Sequence, residues 1–371
     1  MKNNKGGLSF IDKVFLWINF LLCFALLLSY LAPVVNPQTF WIIAFFGLAY
    51  PPLLLLNVIL IVYWLLRRRW PVAISIVTII IGWGVLTNNI GFRSSSSFSP
   101  APGISSIRIM TYNVHNFKHY GSKNDASTKQ EILALIAEQQ PDVIGFQEFY
   151  TRYKGPYDTR DSLFKILGSS NVYFEPFDFN SDEGIGMAIF SKFPIIAKGM
   201  IRLADERASG NQCLYVDVKK GEKIFRVYSV HLQSIKFDPE DYKYLDSVSK
   251  KGKTDLKSTK RLGVKLKTAF IKRSQQVFKV KEHAAQCPYP YIISGDFNDT
   301  PTSFAVNQMA SGLKNAFREK GSGLGRTYNG DFPNYQIDYI MASKQFEVAS
   351  YQIIEKKLSD HYPVRSDLIL N

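Results

Sequence analysis

Six short stretches of the sequence gather amides, imidazoles and carboxylates beside apolar residues. The first three are Thr111-Tyr112-Asn113-Val114-His115-Asn116-Phe117, Ile144-Gly145-Phe146-Gln147-Glu148 and Tyr228-Ser229-Val230-His231-Leu232-Gln233-Ser234. The others are Ile293-Ser294-Gly295-Asp296-Phe297-Asn298-Asp299-Thr300-Pro301, Gln336-Ile337-Asp338-Tyr339-Ile340 and Ser359-Asp360-His361-Tyr362-Pro363. Carboxylate and amide oxygens hold hard cations, and carboxylates and imidazoles move protons near neutral pH. Each stretch alone has an ordinary reading. An Asn after a strand is a turn residue, and Asp-Phe-Asn-Asp-Thr-Pro suits a loop that caps a helix. Three of the five histidines nevertheless fall inside these stretches. The ordered set points to chemistry where no single member does.

That set resembles the endonuclease/exonuclease/phosphatase superfamily. Its members include deoxyribonuclease I, exonuclease III, apurinic endonucleases, neutral sphingomyelinases and inositol polyphosphate phosphatases. The resemblance runs from about Ile107 to Leu370, and Gly-Asp-Phe-Asn and Ser-Asp-His are its most specific elements. It implies a deoxyribonuclease I-like fold of the α/β class, a four-layer α/β/β/α sandwich. It also implies a metal-dependent hydrolase of phosphoester bonds. By resemblance, Glu148, Asp360 and Asn113 hold the metal, and Asp296 orients or deprotonates the attacking water. His231 and Asn298 contact the phosphate, Asp338 orients His361, and His361 stabilises or protonates phosphate oxygens. Arg273 is a candidate for substrate binding, with a solvated helix face as the plain alternative. His115 is a neighbour without an assigned role. The expected ion is Mg2+, or Mn2+ in its place, because Mg2+ takes few carboxylates and keeps waters.

The elements that must position these residues are legible in outline. Strands are expected at Ile107–Val114, Val143–Gln147, Met187–Phe190, Gln212–Val218, Ile224–Leu232, Tyr291–Ser294, Ile337–Met341 and Val348–Ile354. A helix is expected over Ser127–Gln139, opened by a Ser127/Gln130 capping box, and a long basic one over Lys257–Ala285. Cys213 and Cys287 are expected as buried thiols, with a disulfide between them the alternative.

The first hundred residues face a different solvent. No charged residue occurs between Lys13 and Arg67. Three runs, about 14–32, 40–66 and 72–90, approach the roughly 20 apolar residues a helix needs to cross a bilayer. Pro51 and Pro52 should kink the second. Residues 1–92 thus read as an all-α transmembrane region, 93–106 as a Ser/Pro linker and 107–371 as the catalytic domain. Lys2, Lys5 and Lys13 precede the first span and Arg67, Arg68 and Arg69 follow the second. Positive charge stays cytoplasmic, so the expectation is a multi-pass protein of a bacterial inner membrane, its N-terminus cytoplasmic and its catalytic domain extracytoplasmic. A cleaved signal peptide, or a re-entrant second run that would reverse the sidedness, are the competing readings.

The net charge of +14 suits an anionic partner without naming it. Lys250 to Lys281 carry twelve Lys or Arg and one acid, Asp255. Such a run could follow a nucleic-acid backbone or rest on membrane lipid headgroups; the bland reading is a solvated face. Glu148 is followed by Phe149-Tyr150, unlike exonuclease III relatives, which disfavours abasic-site repair. Three functions remain: a membrane-anchored phosphodiesterase (a nuclease) acting on nucleic acid, a lipid or headgroup phosphoesterase, and an inactive binding module on a membrane scaffold.

Overall fold

The computed structural model describes residues 8–93, 106–118, 125–204, 210–330 and 334–371. Helix α1 (Phe10–Ser29) buries Asp12, Asn19, Cys23, Leu26 and Ser29 and exposes Phe10, Trp17, Leu21 and Phe24. A water-soluble amphipathic helix would do the reverse. The chain continues through α2 (Pro37–Phe40), α3 (Ile42–Leu48), α4 (Tyr50–Leu66), α5 (Val72–Ile81) and α6 (Trp83–Asn89). Between α1, α4 and α5 lies a buried polar knot. Asn19 Nδ2 donates to Ser75 Oγ at 2.9 Å, Trp64 Nε1 to Asn19 Oδ1 at 2.7 Å, and Ser75 Oγ to Asn57 Oδ1 at 3.2 Å. At the α1 N-terminal end of this bundle Arg67 holds Asp12 at 2.9 Å.

Both later apolar runs are bent. Helices α3 and α4 meet at 60° and α5 and α6 at 73°. Pro51 and Pro52 sit in the first turn of α4, where they have no N–H with which to continue α3. The second break falls at Gly82, where a β-carbon would lie 2.0 Å from the Tyr30 ring. The Tyr30 hydroxyl donates to the Thr78 carbonyl at 3.1 Å. Among the described residues, α1 is the one single helix long and apolar enough to cross a membrane; three spans result if each bent pair counts as one. The expected linker lies almost wholly outside the described residues, as do Lys2 and Lys5.

After β1 (Gly91–Phe92), the second part runs β2 (Ser106–Asn113), α7 (Asp125–Gln139), β3 (Val143–Arg152), α8 (Thr159–Leu167), β4 (Asn171–Phe179), β5 (Glu183–Ser191), β6 (Ile195–Arg202), β7 (Gln212–Lys220) and β8 (Lys223–His231). It continues with α9 (Pro239–Lys251), α10 (Leu256–Ala285), β9 (Tyr291–Asp296), α11 (Phe304–Ala310), β10 (Lys314–Asn315), α12 (Ala316–Lys320) and β11 (Ser322–Gly323). It closes with β12 (Asp338–Ala342), β13 (Phe346–Val348), β14 (Gln352–Ile353) and β15 (Val364–Leu370).

Two sheets form the centre. One is ordered β13-β15-β2-β3-β5-β4, with β14 beside β15, and the other β10-β12-β9-β8-β7-β6. Each holds one parallel pair, β2 with β3 and β8 with β9; the other pairs are antiparallel. Their facing sides share a core that includes Ile109, Ile189, Val216, Val227, Ile292 and Leu368. Ile132, Ile136 and Leu163 of α7 and α8 cover the outer side of the first sheet. Val277 and Val280 of α10 and Met309 of α11 cover the second. These four layers are the expected α/β/β/α sandwich. A pleated sheet with apolar residues on both faces must be covered on both, which forces the layering.

Some details differ from expectation. Helix α7 begins at Asp125, two residues before the expected cap. The expected strand Val348–Ile354 is two pieces, β13 and β14, because Ser350 turns inward and its Oγ donates to Asp367 Oδ2 at 2.7 Å. Cys213 and Cys287 are free thiols, the first buried and the second half-buried, so no disulfide joins them.

Candidate active site

The two parallel pairs end on the same side chemistry. Asn113 closes β2 and Glu148 lies in β3 beside it; His231 closes β8 and Asp296 closes β9. His231 is in register with Asp296, and Asp338, the first residue of β12, faces Asp296 from the other side. Ligand and catalytic groups gather at the carboxyl ends of parallel strands because the chain leaves the sheet there with backbone and side chains free. Gly295 precedes Asp296 at φ 143°, and a β-carbon there would lie 2.1 Å from the Val230 carbonyl oxygen. Glycine at this position lets β9 approach β8 closely enough to bring His231 to Asp296.

Asp296 is the hub. Asn113 Nδ2 and Asn298 Nδ2 each donate to its Oδ2 at 3.2 Å, and the Asn298 backbone N–H donates to Oδ1 at 2.8 Å. His231 Nε2 and His361 Nε2 lie 3.6 and 3.7 Å from Oδ2. His361 Nδ1 lies 2.9 Å from Asp338 Oδ2. Burial pushes the Asp296 carboxyl up from its ordinary range, and the nearby Asp338 charge adds to this against the pull of His361 and His231. Burial alone would lower the His361 imidazole, but Asp338 and Asp296 overcome it and hold His361 well above the usual histidine range. The protonated form of His361 is thus favoured beside a buried carboxyl whose own proton affinity is raised.

A more open oxygen set stands beside this hub. His115 Nδ1 lies 3.6 Å from Glu148 Oε2 and 3.8 Å from Asp360 Oδ1, so both carboxylates converge on one point. Asn113 Nδ2 is 3.4 Å from Glu148 Oε1. Burial pushes the Glu148 carboxyl up, but His115, His231 and His361 outweigh it and hold the group down at about 2. Ser359 Oγ donates to the Asn113 carbonyl at 2.9 Å and so fastens the last stretch to the first.

Two donor sets are thus candidates for a divalent cation. Asp296, Asp338 and His361 offer ligand atoms within 4.8 Å of one another, all buried. In that set His361 Nδ1 is already engaged by Asp338. Glu148 and Asp360 are partly exposed carboxylates that share only the looser contact of His115, at 3.6 and 3.8 Å, which fits an ion that keeps its waters. Within the hub, His231 Nδ1 and Asp338 Oδ1 are buried and make no hydrogen bond among the described residues.

Backbone strain concentrates here. Of the eight non-glycine residues at positive φ among the described residues, His115, Asn116, Phe117, Glu148 and Asn298 belong to these loops. Each costs about 1–3 kcal/mol, and such cost persists where function fixes geometry. Arg273 is placed apart from the cluster. It is buried, its Nε donates to the Gln233 carbonyl at 2.7 Å, and its Nη1 lies 3.2 Å from Asp299 Oδ2. It braces the Asp296–Asp299 loop from behind. His115 is the residue that sequence reasoning left without a role, and its place between two carboxylates carries no motif of its own.

A family model described as endonuclease/exonuclease/phosphatase family matches residues 110–361. Another, described as a domain of unknown function, matches residues 12–89. No curated protein matches in sequence. Among solved structures, an endonuclease/exonuclease/phosphatase from Beutenbergia cavernae is 20% identical, with a TM-score of 0.51 over 72% of each chain. A family protein from Bacteroides thetaiotaomicron is 18% identical, TM-score 0.52, over 72% of this chain and 99% of that one. The human Nocturnin catalytic domain, with bound sulfate, is 18% identical, TM-score 0.51, over 75% and 98%. These likenesses carry the fold, and with the family match over most of the second part they lead to one conclusion: this chain belongs to the endonuclease/exonuclease/phosphatase family of phosphoester hydrolases.

Proposed function

We infer that the protein is a membrane-anchored, Mg2+-dependent phosphodiesterase that hydrolyses its substrate by attack of water on phosphorus. The supporting observation is the convergence of His231, His361, Asn113 and Asn298 on the single Asp296 carboxylate. Asp296 orients the water and takes its proton. His361, held by Asp338, and His231 donate to the phosphate oxygens as negative charge grows on them. Asn298 fixes Asp296 and the adjoining loop. Glu148, Asp360 and Asn113 are the residues that would hold Mg2+, with Mn2+ as a substitute. The ion's part is to neutralise the phosphate and the leaving oxygen.

The bundle supports three crossings. Helices α1, α4 and α5 turn polar groups inward and apolar ones outward, as a lipid solvent requires. Asp12 and Arg67 mark one end. The catalytic domain meets the bundle at the other. Asn89 Nδ2 donates to Thr302 Oγ1 at 2.9 Å, Tyr335 donates to the Leu48 carbonyl at 3.3 Å, and Phe45 meets Phe270 edge-on. With Arg67, Arg68 and Arg69 cytoplasmic, the catalytic domain is extracytoplasmic.

Nucleic acid is the phosphodiester that the basic run of α10 would follow, but part of that run is engaged. Arg261 and Lys265 bind Asp241, and Lys267 lies over the Trp41 ring. The contact of Thr302, close after Asn298, with Asn89 favours a second reading, a lipid headgroup phosphoester. The full chain in detergent, given labelled DNA, RNA and phospholipid vesicles with Mg2+, separates the two. Cleavage of nucleic acid alone supports the first and of lipid alone the second; ligand binding without turnover returns the protein to a scaffold role.

A further inference from the structure

Beside the carboxylate end of the site lies a cavity of about 420 Å3 that no part of the proposed hydrolysis uses. Its walls include Asn116 and Phe117, directly after His115, and Tyr150, two residues after Glu148, so it opens close along the chain to both. Lys118, Lys129, Tyr150, Arg152, Tyr157 and Glu183 are among its lining. The charge balance is three cations against one carboxylate. That carboxylate is already occupied: Tyr150 donates to Glu183 Oε2 at 2.5 Å and Arg152 Nε lies 3.2 Å from the same oxygen.

Lys129 is the unusual member. It is 7% exposed, on the inner face of α7, and its ammonium donates to the Pro156 carbonyl and lies 5.1 Å from the centre of the Tyr157 ring. Among the described residues no carboxylate lies within ion-pair distance of it, and the charge of Asp158 reaches it only from farther off. A nearly buried ammonium with no carboxylate in direct contact is costly, and an anion entering the cavity would offset that cost. Burial lowers its pKa from the ordinary lysine value, against the opposing pull of the Asp158 charge. Arg152 crowds the same Tyr157 ring at 5.9 Å, and Phe117 is buried in the core, so neither ring offers a face for a nucleobase to stack on.

We propose that this cavity is an anion subsite that seats a second phosphate-class group of the substrate, held by Lys129 and Arg152 next to the scissile phosphodiester. The assignment of that anion to the substrate rests on the phosphoesterase reading; the subsite itself does not. The substrate class it selects is a phosphodiester that also carries a phosphate monoester, soluble or on a lipid headgroup.

The test is calorimetric titration of the full chain in detergent with inorganic pyrophosphate in excess EDTA, where the acidic metal site repels anions. Wild-type protein should bind saturably. Lys129→Met and Arg152→Gln should each weaken binding by about tenfold or more, the size of one charge-assisted contact. Lys129→Arg, which keeps the charge, should retain it, and unchanged melting temperatures show that each variant is folded. Asp296→Asn should keep pyrophosphate binding while losing Mg2+-dependent turnover, so the failure of one reading is visible apart from the other. Phosphatidic acid presented in the same micelles separates the sources: its binding in competition with pyrophosphate assigns a lipid-borne group, and pyrophosphate binding alone a soluble one. No saturable binding of either probe, or binding unchanged in both charge-removing variants, overturns the subsite.

Discussion

His361 Nδ1 and Asp338 Oδ2 lie 2.9 Å apart, both side chains almost wholly buried. The contact joins β12 to the loop after Ser359, across 23 residues of chain. It fixes the imidazole so that its other nitrogen faces Asp296. Replacing Asp338 with Asn keeps the shape and removes the charge that opposes burial. His361 then becomes easier to deprotonate, so the alkaline limb of the pH–rate profile should move to lower pH. kcat should fall by about 10^2 to 10^4, the usual worth of a positioned acid or base, with little change in KM.

Glu148 should govern the need for metal. Glu148→Gln is expected to raise the Mg2+ concentration for half-maximal hydrolysis by at least about tenfold. A metal titration of initial rates measures this.

The same residue predicts an acid effect on stability. Its folded carboxyl is held at about 2, against 4.5 for the free group. A depressed carboxylate stabilises the fold fully above about pH 4.5, and that contribution shrinks as pH falls and is gone near pH 2. Melting curves in EDTA between these limits should show a smaller loss on acidification for Glu148→Gln than for wild type. An equal loss in both would assign the acid sensitivity to other groups.

Arg273 should matter to stability first. Arg273→Met leaves Asp299 buried without its cation, which costs about 3–5 kcal/mol. Chemical denaturation of the solubilised chain should show this loss. Restoring a neutral pair with Asp299→Leu should recover part of it.

The legible parts of this molecule were those that local chemistry dictates. Asn113, Glu148, His231 and Asp296 lie at or near the ends of apolar strands, where polar side chains must emerge, while Asp338 opens β12 and His361 lies just before β15. The bend at Pro51 was equally legible, because proline cannot continue a helix. Gly82 gave no such signal, since its bend depends on Tyr30 arriving from another helix. Arg273 sits in a basic helix and reads as a substrate-binding candidate or a solvated side chain; its actual burial depends on Gln233 and Asp299, brought near by the β8 and β9 ends. Lys129 and Arg152 belong to no motif, and their shared cavity exists through the packing of α7 against the segment after β3.

Most direct is the hydrolysis of bis(p-nitrophenyl) phosphate by the full solubilised chain, with Mg2+, Mn2+ or EDTA, beside Asp296→Asn and His361→Ala. The account predicts turnover that requires the metal and is lost in both folded variants. Turnover that persists in EDTA, or that survives both substitutions, would contradict it.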